Sequence, residues 1–228
     1  MRISRCWWST FISKREEGVT FLQIEVHADV VKHFYGDAGD MVLSLCCSNI
    51  ESTIISSMDE DEKIKEWLAS VGKTSEPKLL YRASRDGWDA SDFHRMCDGK
   101  GATVTVVKSS GGYIFGGYTD VAWGQGVRWR ASAVSFLFSL KDHAGIGPVK
   151  MPIKSDSTVH VVHHGSSYGP TFGSSRHDHD LHVASNANVN SSHYNVGSAY
   201  QLPSNTTNRN FLTGSMKFTV SEYEVFLV

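Results

Sequence analysis

Thr103-Val104-Thr105-Val106-Val107, then Ser109-Ser110-Gly111-Gly112 and Tyr113-Ile114-Phe115, is the stretch on which the fold turns. Its first five residues are all β-branched, and such side chains pack well on a pleated surface while losing rotamer freedom in a helix. The Ser/Gly run between two such segments reads as the turn of a β-hairpin. Further along, Ser132 to Leu140 alternates Ser135, Leu137 and Ser139 with Phe136, Phe138 and Leu140. Leu137 makes both faces apolar, as expected of a strand covered on both sides in a layered structure. Val159 to His163, Leu181 to Ala184 and Lys217 to Val228 supply further strands. One short helix is predicted from Ala90 to Cys97, capped by Asp89 and burying Phe93, Met96 and Cys97. Strands do not alternate with long helices, which argues against a doubly wound parallel sheet. The predicted fold is mainly β, a two-layer antiparallel β-sandwich with a few short helices.

Upstream of this region, Val19 to His27 alternates like a strand, with Phe21, Ile24 and Val26 as candidate buried positions. From about Asp59 to Val71 the period changes. Ile64, Trp67, Leu68 and Val71 fall at i, i+3, i+4 and i+7, an apolar helical stripe suited to packing on the domain that follows. Asp59 is placed to cap this helix, Glu62 to reciprocate, and Gly72 to end it in left-handed geometry. Residues 1–77 carry 8 basic and 13 acidic side chains against 14 and 11 in residues 78–228. That shift, beside Gly72-Lys73-Thr74-Ser75-Glu76-Pro77, predicts a boundary at 77/78. The expected organisation is an N-terminal segment of unassigned type over 1–77, with its helix near 59–71, and a β domain over 78–228.

At 228 residues and 40% hydrophobic, the chain is long enough for a sizeable core. Its 22 basic and 24 acidic residues leave a net charge of −2, with no basic excess to hold a nucleic-acid backbone. The four cysteines, Cys6, Cys46, Cys47 and Cys97, form no C-x-x-C pair, and adjacent cysteines bridge only with strain. Four reduced thiols predict a reducing compartment, and a cytoplasmic location is expected. The apolar runs after Arg5 and from Met41 to Ile55 are too short or too interrupted for an export signal or an integral membrane segment.

Several constellations imitate active sites. Gly165-Ser166-Ser167-Tyr168-Gly169 matches G-x-S-x-G, but a nucleophile elbow needs a helix directly after it, and Pro170-Thr171-Phe172-Gly173 is a poor helix start. Seven of the eleven histidines fall between His160 and His193. His160, His163 and His164 lie in one segment, and His177, His179 and His182 in another beside Asp178 and Asp180. These are competent ligand types without H-E-x-x-H or other metal spacing, so they read as solvent-facing or locally bonded. Gly111-Gly112 and Gly116-Gly117 lack a phosphate-loop signature and read as turns and strand bends. Trp123 and Trp129, with Arg128 and Arg130, suggest a stacking surface but read as core and rim. No catalytic, cofactor-binding or metal-ligating residue is assigned, and no cofactor is expected.

Leu79-Leu80-Tyr81-Arg82-Ala83-Ser84-Arg85-Asp86-Gly87-Trp88 resembles the opening motif of the TLDc domain family. Asp92-Phe93-His94, Cys97-Asp98-Gly99-Lys100-Gly101, Gly112-Tyr113-Ile114-Phe115-Gly116-Gly117-Tyr118-Thr119 and Ala122-Trp123 follow in family order. Phe136-Leu137-Phe138-Ser139-Leu140, Tyr168-Gly169-Pro170-Thr171-Phe172-Gly173, His179-Asp180-Leu181 and Glu222-Tyr223-Glu224-Val225-Phe226 extend the likeness over about 78–228. Ser174-Ser175-Arg176-His177-Asp178 lengthens one connection relative to the family pattern. The resemblance implies a two-sheet sandwich and brings no catalytic residues with it. It also implies a role in oxidative-stress resistance and in binding subunits of the vacuolar proton-pumping ATPase. The expected function is that of a non-enzymatic interaction domain. Two rivals stand beside it: a metal-dependent or redox enzyme using the histidine-rich loops or Cys97, and a thiol-based stress-sensing scaffold using Cys46 and Cys47.

Overall fold

The computed structural model describes residues 11–16, 19–24, 50–126, 128–173 and 179–228. Two compact units divide the chain, Met1–Ser48 and Asn49–Val228. In the first, β1 (Phe11–Glu16) and β2 (Val19–Ile24) pair antiparallel, Phe11 opposite Ile24 and Glu16 opposite Val19. The expected strand over 19–27 is seen to Ile24; residues 25–27, Cys6, Cys46 and Cys47 lie outside the described residues.

The second unit opens with α1 (Met58–Ala69), β3 (Lys78–Arg82), α2 (Ala83–Asp86) and α3 (Ala90–Cys97). Then come β4 (Thr103–Ser109), β5 (Ile114–Thr119), β6 (Arg128–Arg130), β7 (Phe136–Lys141) and β8 (Val149–Pro152). β9 (Val162–His164), β10 (Tyr168–Phe172), β11 (Leu181–Ala184), β12 (Ser192–Tyr194), β13 (Lys217–Phe218) and β14 (Val220–Leu227) complete it. They form two antiparallel six-stranded sheets, ordered β3-β14-β4-β5-β7-β8 and β13-β12-β11-β10-β9-β6. The hairpin read from Thr103 to Phe115 is β4–β5, with Val107 opposite Phe115. α3 has the expected bounds, and the Asp89 carboxylate accepts the Ser91 N–H at 2.9 Å.

Between the sheets lie Val107, Phe115, Leu137 and Tyr223 of the first and Val162, Phe172, Leu181, Val183, Tyr194 and Phe218 of the second. On the other face of the first sheet, Val104, Val106, Phe136, Phe138 and Phe226 form a separate core with Ile54, Ile55, Ile64, Trp67 and Leu68. Trp67 of α1 meets Phe138 at 5.7 Å between ring centroids. The two apolar faces of β7 are therefore real: one faces the second sheet, the other a helical layer. This packing begins at residue 50, so the expected boundary at 77/78, read from charge, falls inside the second unit. Charge registers the solvated face of α1, whereas contact follows its apolar stripe.

Two local readings shift. The helix cap is Ser57, which bonds the Glu60 N–H while the Glu60 carboxylate accepts the Ser57 N–H, two residues upstream of the expected Asp59–Glu62 box. Gly72 ends the helix as expected, at φ +78°, with the Lys73 N–H donating to the Leu68 carbonyl. Gly116 and Gly117 are strand-interior packing positions. A Cβ at Gly117 would stand 2.9 Å from the Phe172 ring across the sandwich; one at Gly116 would stand 1.9 Å from the Thr105 carbonyl oxygen.

Candidate functional site

The polar residues of the family-like motifs are spent on holding the fold. Glu224 on β14 is fully buried, and Arg82 Nε on β3 donates to it at 2.6 Å. The Ser52 hydroxyl and the Thr53 N–H and hydroxyl also donate to Glu224, which fastens this lead-in segment to β14. Asp180, also fully buried, accepts the N–H groups of Gly197, Ser198 and Ala199 at 2.7–2.8 Å. Burial raises its carboxyl above the usual range, and those N–H groups oppose the shift. The Tyr81 hydroxyl meets the Gly87 carbonyl at 2.6 Å and the Tyr223 hydroxyl at 2.8 Å. His94 of α3 bridges Asp98, 2.8 Å from Nδ1, and the Gly165 and Tyr168 carbonyls, 3.0 and 3.1 Å from Nε2.

The serine-hydrolase imitation dissolves at this point. Gly165 to Ser167 is the turn joining β9 to β10, the strand begins at Tyr168, and Ser166 and Ser167 face solvent. Cys97 is fully buried, and burial pushes its thiol well above the ordinary value, which disfavours the reactive thiolate. Trp123 is core, its indole N–H donating to the Thr103 hydroxyl at 2.8 Å. A cleft of about 400 Å³ at one end of the sandwich is lined largely by hydroxyls, Ser109, Ser110, Ser191 and Thr213 among them, with Lys217 at its side.

The histidines assemble on the outer face of the second sheet. Pairing sets Trp129 opposite His163, Thr171 opposite His182, His182 opposite His193, and His193 opposite Lys217. Phe172 opposite Val162 places Thr171 beside His163. Because side chains one ladder step apart share a face, Trp129, His163, Thr171, His182, His193 and Lys217 form one row across all six strands. Tyr168 and His179 roof its middle, with ring centroids 4.9 and 5.4 Å from His182. His163 lies 4.4 Å from Trp129 and His193 4.8 Å from His182. His160 leans on Trp129 at 5.7 Å.

Two of these imidazoles, His163 and His182, are shifted toward the uncharged form. Burial, then His193, His179 and His163, push His182 down to about 3, and burial lowers His163. The Thr171 hydroxyl donates to the Gly169 carbonyl, so it accepts from His182 Nδ1–H, 2.9 Å away, which leaves the Nε2 lone pair. His164 points to the opposite face, beside Trp123. Burial and Arg130, whose Nε lies 3.4 Å from its Nδ1, bring it to about 4. Among the described residues no three His, Cys, Asp or Glu side chains are disposed to hold a metal ion; His177 and Asp178 lie outside them. No described helix is long and apolar enough to cross a membrane. The sequence places the histidines in two separate groups, read as solvent-facing or locally bonded, and does not join them in one row. The row depends on cross-strand register, for which the sequence carries no direct signal.

No curated protein matches the sequence. The model of the TLDc domain family matches residues 49–228, a span that takes in α1 and its lead-in as well as both sheets. With the match covering most of the chain and both its layers of strands, the protein belongs to the TLDc domain family.

Proposed function

We propose that this chain is a non-enzymatic protein-interaction domain of the cytoplasm that binds subunits of the vacuolar proton-pumping ATPase and supports resistance to oxidative stress. The observation that carries the reading is the ring row. The outer face of the first sheet is covered by α1, whereas the second sheet turns outward half-buried Trp129, His163, His179 and His193 with the exposed Tyr168. Rigid rings with few rotatable bonds are efficient contact groups, and aromatic residues dominate interface energetics. Family membership supports the pump as the partner. The buried acids, His94 and Cys97 are taken up by the fold, which supports recognition over chemistry at those positions.

The test passes purified pump subunits over immobilised chain at several salt concentrations. Retention is expected, weakened at least about tenfold when Trp129→Ala and Tyr168→Ala are combined, as loss of two aromatic anchors would give. No retention at any salt concentration removes the pump from the account.

A further inference from the structure

We propose that the hydroxyl-lined cleft at the end of the sandwich binds a small soluble phosphorylated sugar or polyol, Lys217 and Ser109 taking the phosphate and Ser191 and Thr213 the ligand's hydroxyls. At about 400 Å³ the cleft has the size of a small-molecule site. The proposal goes beyond the docking reading and does not depend on it.

The end of β4 and the turn into β5 supply Ser109 and Tyr113, and β13 supplies Lys217 and Phe218. Ser191 precedes β12, and Thr213 comes from the connection before β13. The two sides are tied together. The Ser110 N–H donates to the Thr219 carbonyl at 3.0 Å, and the hydroxyls of the same two residues bond to each other. The Ser221 hydroxyl donates to the Lys108 and Ser109 carbonyls, each at 3.1 Å. His143 meets the Tyr113 ring edge to face at 5.7 Å and so sets its plane. Walls fixed in advance lower the cost of ordering a site when a ligand arrives.

Where each hydroxyl proton goes decides what the ligand must offer. Ser109 is 2% exposed, and its hydroxyl oxygen accepts the Tyr113 N–H at 3.1 Å, while its own proton has no acceptor among the described residues. A buried O–H beside a cleft is satisfied by an acceptor placed in it. Lys217 is exposed, makes no ion pair among the described residues and is the cleft's charged lining group. An ammonium and a hydroxyl donor on one cleft suit an oxyanion. Thr213 and Ser191 are the reverse. Their protons go to the Ser215 carbonyl at 2.6 Å and the Ser192 carbonyl at 3.3 Å, so toward the cleft their oxygens accept. A phosphate dianion has no proton to give them, whereas the hydroxyls of a sugar do. The half-buried Tyr113 ring and Phe218 supply an apolar wall for the C–H face of such a body. A single lysine, worth about 1 kcal/mol at an anionic membrane, is too little charge to hold a lipid surface, so the ester is a soluble one.

The test is amide NMR of the full chain, titrated in separate arms with glucose 6-phosphate, glucose, inorganic phosphate, and phosphatidylcholine vesicles carrying phosphatidylinositol phosphate. Glucose 6-phosphate is expected to shift the resonances of Ser109 to Tyr113, Ser191, Thr213 and Lys217 to Thr219. It should do so at a concentration at least about tenfold below that needed for glucose or phosphate alone, because each half forgoes the other's hydrogen bonds. Lys217→Gln, a change at an exposed side chain, is expected to weaken the ester at least about tenfold and to leave glucose unaffected. An equal response to phosphate and to the ester means an adventitious ion only and overturns the sugar site. No shift at these residues, an unchanged affinity in Lys217→Gln, or binding to the vesicles alone overturns the proposal as well. Because no pump subunit is present, each of those outcomes leaves the docking reading standing, and failure of docking leaves the cleft's ligand standing.

Discussion

Arg82 and Glu224 meet 2.6 Å apart with the carboxylate wholly out of water, so neither charge can be removed alone without exposing the other to the interior. Arg82→Ala is expected to cost about 3–5 kcal/mol in urea unfolding, the usual result of stranding a buried charge. The adjacent glycines make a sharper comparison. At Gly117 a methyl group presses on the Leu137 and Phe172 side chains, which can shift, so Gly117→Ala should cost about 1–3 kcal/mol. At Gly116 it meets the Thr105 carbonyl oxygen in the backbone, so Gly116→Ala should be the more damaging of the two in the same assay. Residue-level features were unevenly legible. Asp89 stood alone before an apolar period and was read correctly as a cap. The Ser57–Glu60 box was displaced onto Asp59–Glu62 because both pairs share the same spacing, and only backbone geometry separates them.

α1 supplies the layer without which the first sheet would show water its second apolar face. Trp67→Ala should cost about 3–5 kcal/mol as a buried large-to-small change, and Ser57→Ala about 1 kcal/mol as a lost cap, both read from urea midpoints. A chain starting at Lys78 should bind the dye ANS and aggregate, because Val104, Val106, Phe136, Phe138 and Phe226 lose their cover. A chain starting at Asn49 should remain monodisperse, as checked by light scattering. Most strands were legible because β-branched and alternating runs state their own period, as over 103–107 and 181–184. The partner of the outer face was harder to read. Leu137 announced that β7 is covered twice, but the chemistry covering it lies seventy residues upstream, behind a change in charge that looks like a border.

At the scale of the whole molecule, acid acts on imidazoles buried in the second sheet. Burial holds His163, His164 and His182 below the ordinary imidazole value, His164 at about 4 and His182 at about 3. At these three positions the unfolded chain then binds more protons than the folded one below about pH 6.5. Stability is thus full above that value and lost as pH falls toward the folded values, so the urea midpoint at pH 4.5 should lie below that at pH 7.5. A fully retained midpoint would contradict this. The histidine row itself was not legible. His163, Thr171, His182 and His193 stand 8, 11 and 11 residues apart, intervals that state no strand period, and a register shift between Tyr168 and Thr171 intervenes, so only the assembled sheet aligns them. The most direct measurement is a hydrogen-exchange footprint of the chain at neutral pH with and without purified subunits of the vacuolar proton-pumping ATPase. Protection gained over 160–168, 179–184 and 192–194 is the predicted result; protection gained only on α1 and the first sheet, or nowhere, would contradict it.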